Sequence, residues 1–200
     1  MKVLLIGSSH MALEYSKILN SLKINYLIFS RTKESLKKFQ KNKYTSTYSG
    51  KLTQLLSEQG KYFTHAIIAT SIESLKNLTI KVINADINNI LIEKPGSLNL
   101  SELIEIKKKS RNKKIFIGYN RRFLSSIIKL KNILIKEKIE SAFFSFNEQS
   151  KIIEKLGHSK FVKNKWVLAN SSHVLDLIFY LIGLPKKLSS FSKGHLNWHK

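Results

Sequence analysis

The chain has 200 residues, of which 42% are hydrophobic and 10% are aromatic. This composition is typical of a globular protein with a sizeable core, and it excludes the disordered class. The lack of cysteine excludes disulfides and a zinc–thiolate site, and it favours a cytoplasmic location. No apolar run approaches the ~18 residues that a membrane-spanning helix needs, so we expect no membrane partner.

The formal net charge of +22 would favour polyanionic partners. The lysines are spread over nearly every predicted helix, and neither a zinc-finger spacing nor an RNP-like run accompanies them. We therefore expect a solvated basic surface and no specific nucleic-acid partner. An electrostatic nucleic-acid binder remains the alternative from a different class of function.

Apolar runs alternate with amphipathic stretches over the first 120 residues. Strands are predicted over residues 2–6, 25–30, 43–49, 64–71, 89–94 and 114–119, and helices from Met11 and over 32–41, 52–59, 72–85 and roughly 99–110. Strands that alternate with helices indicate βαβ units and a parallel sheet with helices on both faces. Ligands of such sheets bind at the carboxyl ends of the strands, near a switch in strand order.

The pattern changes near residue 120, where we place a domain boundary. We predict one long helix over residues 121–139 and a half-exposed strand over 141–149. A helix from Ser172 to Ile182 follows, stopped by Gly183 and Pro185, and a further strand is predicted over 188–196.

The first predicted strand runs into the turn "GSSHMA", residues 7–12. A dinucleotide-binding fold has G-x-G-x-x-G/A here, so that backbone N–H groups at a helix N-terminus approach a pyrophosphate. Gly7 and Ala12 fill the outer positions, Ser9 stands at the middle one, and His10 and Met11 complete the turn. A phosphate site and an ordinary strand-to-helix turn are both open interpretations.

The second predicted strand ends in Ser30, Arg31 and Thr32. Sites for NAD usually carry an acidic residue at this place, which binds the ribose 2′-hydroxyl. A guanidinium between two hydroxyls suits a 2′-phosphate instead, so we expect NADP in preference to NAD. The alternative is that Arg31 is a solvent-facing loop residue.

A Glu-Lys-Pro triplet, residues 93–95, ends the fifth predicted strand. Pro95 restricts the residue before it to an extended conformation, which directs the Lys94 side chain. A partly desolvated lysine exchanges protons near neutral pH, so Lys94 is a candidate for proton transfer. Glu93 would hold the surrounding backbone or pair with Lys94, and an ordinary salt bridge at a strand end is the alternative.

The predicted helix near residue 173 carries His173, Asp176 and Tyr180 on one face. A histidine in the first turn, kept mostly neutral by the positive helix end, is a reasonable proton donor and acceptor. The alternative, which is compatible with this role, is a capping cluster with Asn170, Ser171 or Ser172 at the N-cap. His195 and His199 are four residues apart but have no third ligand nearby, so we expect no metal site.

Several of these segments, in this order, resemble the Gfo/Idh/MocA oxidoreductases. They are the glycine-containing turn, "AIIATS" (66–71), "EKP" (93–95), "GYNRRF" (118–123) and a histidine on a helix that ends in "LIGLP" (181–185). The resemblance implies an α/β chain, with a dinucleotide-binding Rossmann-type parallel sheet over residues 1–120. It also implies an incomplete C-terminal α+β domain, partly for substrate binding and oligomerisation, over residues 121–200.

The resemblance further implies NAD(P)-dependent hydride transfer to or from a carbinol carbon of a sugar, sugar nucleotide or cyclitol. Lys94 would assist proton transfer and His173 would be its partner. The implied cofactor-binding residues are Gly7, Ser9, His10, Met11, Ser30, Arg31, Thr32, Ala69, Thr70, Glu93, Asn120 and Arg122. The implied substrate-binding residues are Lys94, Tyr119, Arg121, Asn170, His173 and Asp176.

Three departures from the family pattern accompany this resemblance. Ser9 replaces the middle glycine, and Ala169 stands where members commonly have an aspartate. Part of the polar network around the substrate would therefore be missing, or Asp176 or Asn170 would supply it. The second domain is also too short for the family, so we expect the chain to be a fragment or a truncated form. A homo-oligomer is expected only if the full C-terminal sheet is present. A catalytically impaired nucleotide-binding protein of the same fold is therefore the second hypothesis.

Overall fold

The computed structural model describes residues 2–191, 193–194 and 196–198. The chain divides into two compact units, Met1–Gly118 and Tyr119–Lys200. Among the described residues, no helix is both long enough and apolar enough to cross a membrane.

The first unit is built on a sheet of six parallel strands, which confirms the predicted fold class. The strands are β1 (Lys2–Ile6), β2 (Asn25–Ser30), β3 (Thr45–Ser49), β4 (His65–Ile68), β5 (Asn89–Ile92) and β6 (Lys114–Ile117). Their order across the sheet is β3-β2-β1-β4-β5-β6. The strands β2 and β3 follow β1 on one side of it, and β4, β5 and β6 follow on the other side. The switch in strand order therefore lies between β1 and β4.

Side chains of successive strand residues enter two different cores, one on each face of the sheet. Leu4 and Ile6 lie in one core, and Val3 and Leu5 lie in the other. All four are at most 3% exposed. Burial on both faces explains why the central strands are continuous apolar runs rather than alternating ones.

The helices of the first unit cover these two cores. They are α1 (His10–Ser21), α2 (Leu52–Gln59), α3 (Ile72–Asn84) and α4 (Leu100–Ser110). Ala12 and Leu19 of α1 pack on one face, whereas Leu55 of α2, Leu75 of α3 and Ile106 of α4 pack on the other. Four of the five helices predicted for this unit are therefore confirmed, with ends shifted by at most one residue.

The predicted helix over residues 32–41 is wrong. Only a short 3₁₀ turn, Glu34–Leu36, forms there. Leu36 and Phe39 are buried, and these two side chains offer too little apolar surface to stabilise three turns of helix. Lys33, Lys37 and Lys41 would in addition stack at i, i+4 spacing with like charges, which disfavours a helix.

The second unit contains four α-helices in the part of the chain that the structure describes. They are α5 (Ser125–Leu134), α6 (Ser150–Lys155), α7 (Lys160–Asn164) and α8 (Ser172–Ile182). Ile153, Trp166 and Trp198 form a small core, in which the two indole rings meet edge to face with centroids 6.3 Å apart. The predicted helix from Ser172 to Ile182 is confirmed.

Two other predictions for the second unit are wrong. The long helix over residues 121–139 is split into a 3₁₀ turn, Asn120–Phe123, and α5, because Leu124 between them is extended. Residues 141–149 form no strand, and no neighbouring strand in the described part of this unit is present to pair with them. Residues 188–191 are likewise irregular, and the rest of that predicted strand includes Ser192 and His195, which lie outside the described residues.

Candidate functional site

The turn after β1 is held between the strands on either side of β1. The N–H of Gly7 donates to the Phe29 carbonyl of β2 at 2.9 Å, and the N–H of Ala69, after β4, donates to the Ile6 carbonyl at 2.8 Å. Gly7 has a φ of +125°, and a Cβ there would lie 2.1 Å from the Ala69 carbonyl oxygen. Only glycine fits this position.

Ser9 turns its side chain toward the protein and caps α1. Its hydroxyl donates to the Ala69 carbonyl at 2.9 Å and accepts from the Ala12 N–H at 3.2 Å. The serine at the middle glycine position therefore uses its hydroxyl to cap the N-terminus of α1. No acidic side chain occupies the first turn of this helix. The positive end of this helix is left without a nearby carboxylate in its own first turn.

A cavity of about 740 Å³ lies at the carboxyl ends of β1, β2 and β4. This is the edge of the sheet where the strand order switches. Residues from three regions of the chain line it: Ile6, Gly7, Ser8, Ser9, Phe29, Ser30, Arg31, Thr32, Ser35, Thr70, Ser71, Glu73, Ser74, Asn77 and Leu78. Most of these are small and polar, so the cavity offers many hydroxyl groups.

The end of β2 gathers hydroxyl groups and positive charge at one side of this cavity. The Ser35 hydroxyl lies 2.5 Å from that of Ser30 and 3.1 Å from that of Thr32. The Lys38 ammonium donates to the Ser8 carbonyl, and Arg31 is exposed at the cavity wall. This arrangement is suited to an oxyanion that needs charged and neutral donors together.

The predicted cofactor-binding residues of the first unit fall into two groups. Six of them line the cavity: Gly7, Ser9, Ser30, Arg31, Thr32 and Thr70. Ala69 supports the turn through its carbonyl oxygen, and Met11 packs against the core. His10 is exposed, 3.8 Å from Glu14, and Glu93 lies outside the cavity lining.

The Glu-Lys-Pro triplet forms a tight turn after β5. The Glu93 N–H donates to the Ile68 carbonyl at 3.0 Å, and the Glu93 carbonyl accepts from the Gly96 N–H at 3.0 Å. Lys94 is half-buried, and its peptide bond to Pro95 is cis. The turn is thus fixed to β4 at one end and closed by Gly96 at the other.

The Glu93 carboxylate is held by a residue of α1. The Tyr15 hydroxyl donates to Glu93 Oε1 at 2.7 Å. Burial raises the pKa of Tyr15 far above its usual value, and the hydrogen bond to Glu93 raises it further. Tyr15 therefore stays protonated and remains a donor over the whole physiological pH range.

In the second unit, predicted site residues cluster around α8. The Arg122 guanidinium forms a two-pronged ion pair with Asp176, with Nε donating to Oδ2 at 2.7 Å, and this hydrogen bond raises the pKa of Arg122. The Tyr119 and His173 rings meet edge to face, 5.9 Å between centroids. Burial raises the pKa of Tyr119.

The prediction of a capping cluster at the start of α8 is wrong. A π-helical turn, Val167–Ser171, runs directly into α8, so the helix has no free N-terminus there. Ser171 stands at the N-cap position, but its hydroxyl donates to Glu148 at 2.6 Å and caps no helix N–H. Asn170 also donates to Glu148, at 3.1 Å. The positive helix end that we expected to keep His173 neutral is consequently missing.

The remaining predictions concern exposed or undescribed residues. Asn120 and Arg121 are exposed in the 3₁₀ turn, and Ala169 is buried. His195 and His199 lie outside the described residues. Within the described part of the chain, no group of three or more His, Asp or Glu side chains is arranged to hold a metal ion.

Comparison with solved structures gives many matches at low sequence identity. A probable dehydrogenase from Thermotoga maritima is 18% identical with a TM-score of 0.74. The WlbA dehydrogenase from Chromobacterium violaceum, solved with NADH and UDP-GlcNAcA, is 16% identical with a TM-score of 0.75. An oxidoreductase from Agrobacterium radiobacter, solved with NAD⁺, L-tartaric acid and magnesium, is 19% identical with a TM-score of 0.75.

These matches show that the chain shares its fold with the three structures. Each of these alignments covers 92% of this chain but 55% of the other one, so the chain spans about half the length of the structures it matches. No family model and no curated protein matches the sequence.

The structure adds site residues that the sequence patterns did not indicate. Ser35, Ser71, Ser74 and Asn77 line the cavity, and Lys38 reaches the turn after β1. The Ser35 position follows Thr32 by three residues, a spacing that places both hydroxyls together in a helical turn, but nothing distinguishes it from other surface serines. Tyr15 faces Glu93 across 78 positions of sequence, so no local pattern connects them.

Proposed function

We propose that the chain is an NAD(P)-dependent oxidoreductase of the Gfo/Idh/MocA type, in which the cavity of the first unit binds the dinucleotide. The observation that carries this proposal is the Gly7 turn at the switch in strand order. Gly7 keeps the backbone against Ala69, and Ser9 turns its hydroxyl away toward the Ala69 carbonyl. Both features keep the turn open to a pyrophosphate at the start of α1.

NADP is the proposed preferred cofactor, with NAD as the weaker ligand. Arg31, Thr32 and Ser35 would bind the 2′-phosphate, and Lys38 would move from the Ser8 carbonyl to the same group. This preference rests on the residues of this chain, since the two dehydrogenase and oxidoreductase structures described above were solved with NADH and NAD⁺.

The proposed reaction is hydride transfer between the nicotinamide and a carbinol carbon of a polyol-like, sugar or sugar-nucleotide substrate. A bound nicotinamide supplies the hydride chemistry. Lys94 is proposed to transfer the proton at the reacting hydroxyl, with His173 as its partner. Tyr119, Arg121 and Asn170 are proposed to bind substrate, as the resemblance implies.

Asp176 and Arg122 have a narrower proposed role. Each is engaged by the other in the ion pair, so a direct contact of either with a ligand would require that pair to open. We propose that they order the start of the second unit around Tyr119 and α8.

Substrate binding and oligomerisation remain the proposed tasks of residues 121–200, and the cytoplasm remains the proposed location.

The test is a side-by-side titration with NADPH and NADH, followed by nicotinamide fluorescence. The wild-type chain should bind NADPH more tightly, and Arg31→Ala and Lys38→Ala should each weaken NADPH binding by about tenfold or more while leaving NADH nearly unchanged. Lys41→Ala is the matched control, because it removes the same charge from an exposed position of the same segment. Equal affinity for both nucleotides, unaffected by Arg31→Ala, would contradict the NADP proposal.

The second candidate is a nucleotide-binding protein without turnover, which the buried Ala169 and the half-length match favour. A screen of polyols and sugars for absorbance change at the nicotinamide band distinguishes the two candidates. Binding of NADPH without any substrate-dependent oxidation or reduction would favour this second candidate.

A further inference from the structure

The hydrogen bond between Tyr15 and Glu93 joins two parts of the first unit that the proposed function uses separately. Tyr15 lies in α1, the helix whose N-terminus borders the cavity. Glu93 directly precedes Lys94 in the turn after β5. The bond of 2.7 Å therefore connects the proposed pyrophosphate helix to the proposed proton-transfer residue.

The backbone of Gly118 packs closely against this hydrogen bond. A Cβ at Gly118, just after β6, would lie 3.4 Å from both Glu93 Oε1 and the Tyr15 hydroxyl oxygen. Glu93 is in addition fixed through its backbone, by Ile68 on one side and Gly96 on the other. A hydrogen bond to a charged, partly desolvated carboxylate is among the stronger ones in a protein. The carboxylate is thus held from α1, while its backbone is held from β4.

We propose that Tyr15 is a positioning residue, which holds Glu93 and thereby keeps Lys94 in a fixed position relative to the bound dinucleotide. This inference rests on the proposed function, because it assumes a dinucleotide at the N-terminus of α1. Tyr15 touches neither cofactor nor substrate in this role. Its contribution is to prevent the Lys94 turn from moving independently of α1, since small displacements of a reacting group lower rates steeply.

The experiment measures the acylation of Lys94 by limiting acetic anhydride, quantified by mass spectrometry with and without NADPH. In the wild-type chain, bound NADPH should slow the labelling of Lys94. In Tyr15→Phe, NADPH affinity should stay within about threefold of wild type, whereas the protection of Lys94 should fall by about tenfold, as expected for one lost hydrogen bond to a charged group.

Two further variants separate positioning from general destabilisation. Glu93→Gln keeps an oxygen that accepts from Tyr15, so it should retain most of the protection, whereas Glu93→Ala should lose it as Tyr15→Phe does. Tyr62→Phe removes the same hydroxyl from a side chain that is 57% exposed, and it should behave as wild type. Glu93→Ala provides the same comparison if Tyr15→Phe does not fold.

The possible failures are distinguishable. If NADPH does not bind the wild-type chain, the proposed function is overturned and this inference with it. If NADPH binds and protects Lys94 equally in wild type, Tyr15→Phe and Glu93→Ala, the inference alone is overturned, and the nucleotide site stands.

Discussion

Gly7 and Ser9 perform different tasks within one turn. Gly7 adopts a φ that other residues avoid and leaves no space for a side chain, because the Ala69 carbonyl lies where a Cβ would be. Ser9 instead uses its side chain, which binds that same carbonyl and caps α1. The sequence pattern with serine at the middle position is therefore compatible with the turn that a phosphate site needs, since the Ser9 hydroxyl is engaged by the protein itself.

Replacing Gly7 by alanine should disrupt both stability and nucleotide binding. The added methyl group meets a backbone oxygen at 2.1 Å, and the positive φ adds strain, so the free energy of unfolding should fall by at least about 2 kcal/mol. Urea denaturation of the first unit and NADPH titration measure the two effects.

Gly60→Ala is the matched control for this prediction. Gly60 lies in the same unit with a φ of −51°, and a Cβ there would be 3.4 Å from that of Ala85. It should change the free energy of unfolding by less than about 1 kcal/mol and leave NADPH affinity unaltered. Equal effects of the two substitutions would show that the Gly7 turn is not specially constrained.

At the residue scale, the sequence predicted site residues that belong to short local motifs, but it missed contacts between residues far apart in the chain. The six predicted residues that line the cavity belong to short segments at strand ends, where the parallel sheet brings them to one edge. Tyr15 and Lys38 make their contacts with residues 78 and 30 positions away, respectively. Periodicity along a helix shows which face is polar, but it does not show which partner that face meets.

At the scale of elements, the central strands were predicted well because both of their faces are buried. A continuous apolar run leaves few alternatives to a central strand in a parallel sheet. The segment over residues 141–149 failed for the opposite reason, since an alternating segment becomes a strand only when another strand pairs with it. The long helix over 121–139 failed because its apolar spacing continues across Leu124, whose extended backbone divides it.

An ion pair that the sequence did not predict joins α8 to the 3₁₀ turn that contains Arg122. Arg122 and Asp176 were both expected to bind ligands, and the spacing of 54 positions between them concealed their contact. The Asp176 side chain is 11% exposed, so its carboxylate relies on the guanidinium to offset the loss of water. The Lys131 ammonium also donates to the Tyr180 carbonyl at 2.7 Å near the end of α8.

Arg122→Ala should therefore destabilise the second unit. It leaves a largely buried carboxylate without its main partner, which lowers the free energy of unfolding by about 2 kcal/mol. Both tryptophans of the chain, Trp166 and Trp198, lie in this unit, so tryptophan fluorescence in urea reports its unfolding selectively. Arg121→Ala, which removes an exposed arginine, should have almost no effect, and equal losses for both variants would argue against a stabilising ion pair.

At the scale of the whole molecule, the two units differ in how completely they bury their apolar side chains. The first unit has a core on each face of its sheet. In the second unit, Phe143 is 90% exposed and Phe191 is 95% exposed. This difference explains why the alternation of strands and helices predicted all six strands and four of the five helices of the first unit, whereas only the helix from Ser172 to Ile182 was predicted correctly in the second unit.

The cavity itself is lined entirely by residues between Ile6 and Leu78. The central claim is that a nicotinamide dinucleotide binds at this edge of the sheet, where β1, β2 and β4 end. Its location is independent of the reaction and of the substrate, and it can be observed directly in solution.

The most direct measurement is a titration of the ¹⁵N-labelled chain with NADPH, followed by amide chemical shifts. The account predicts that the amides of Gly7, Thr32 and Thr70 shift first and most, while those of Asn25 and Thr64, at the opposite edge of the sheet, stay in place. Shifts concentrated at Asn25 and Thr64, or spread evenly over the lysine-rich surface, would contradict it.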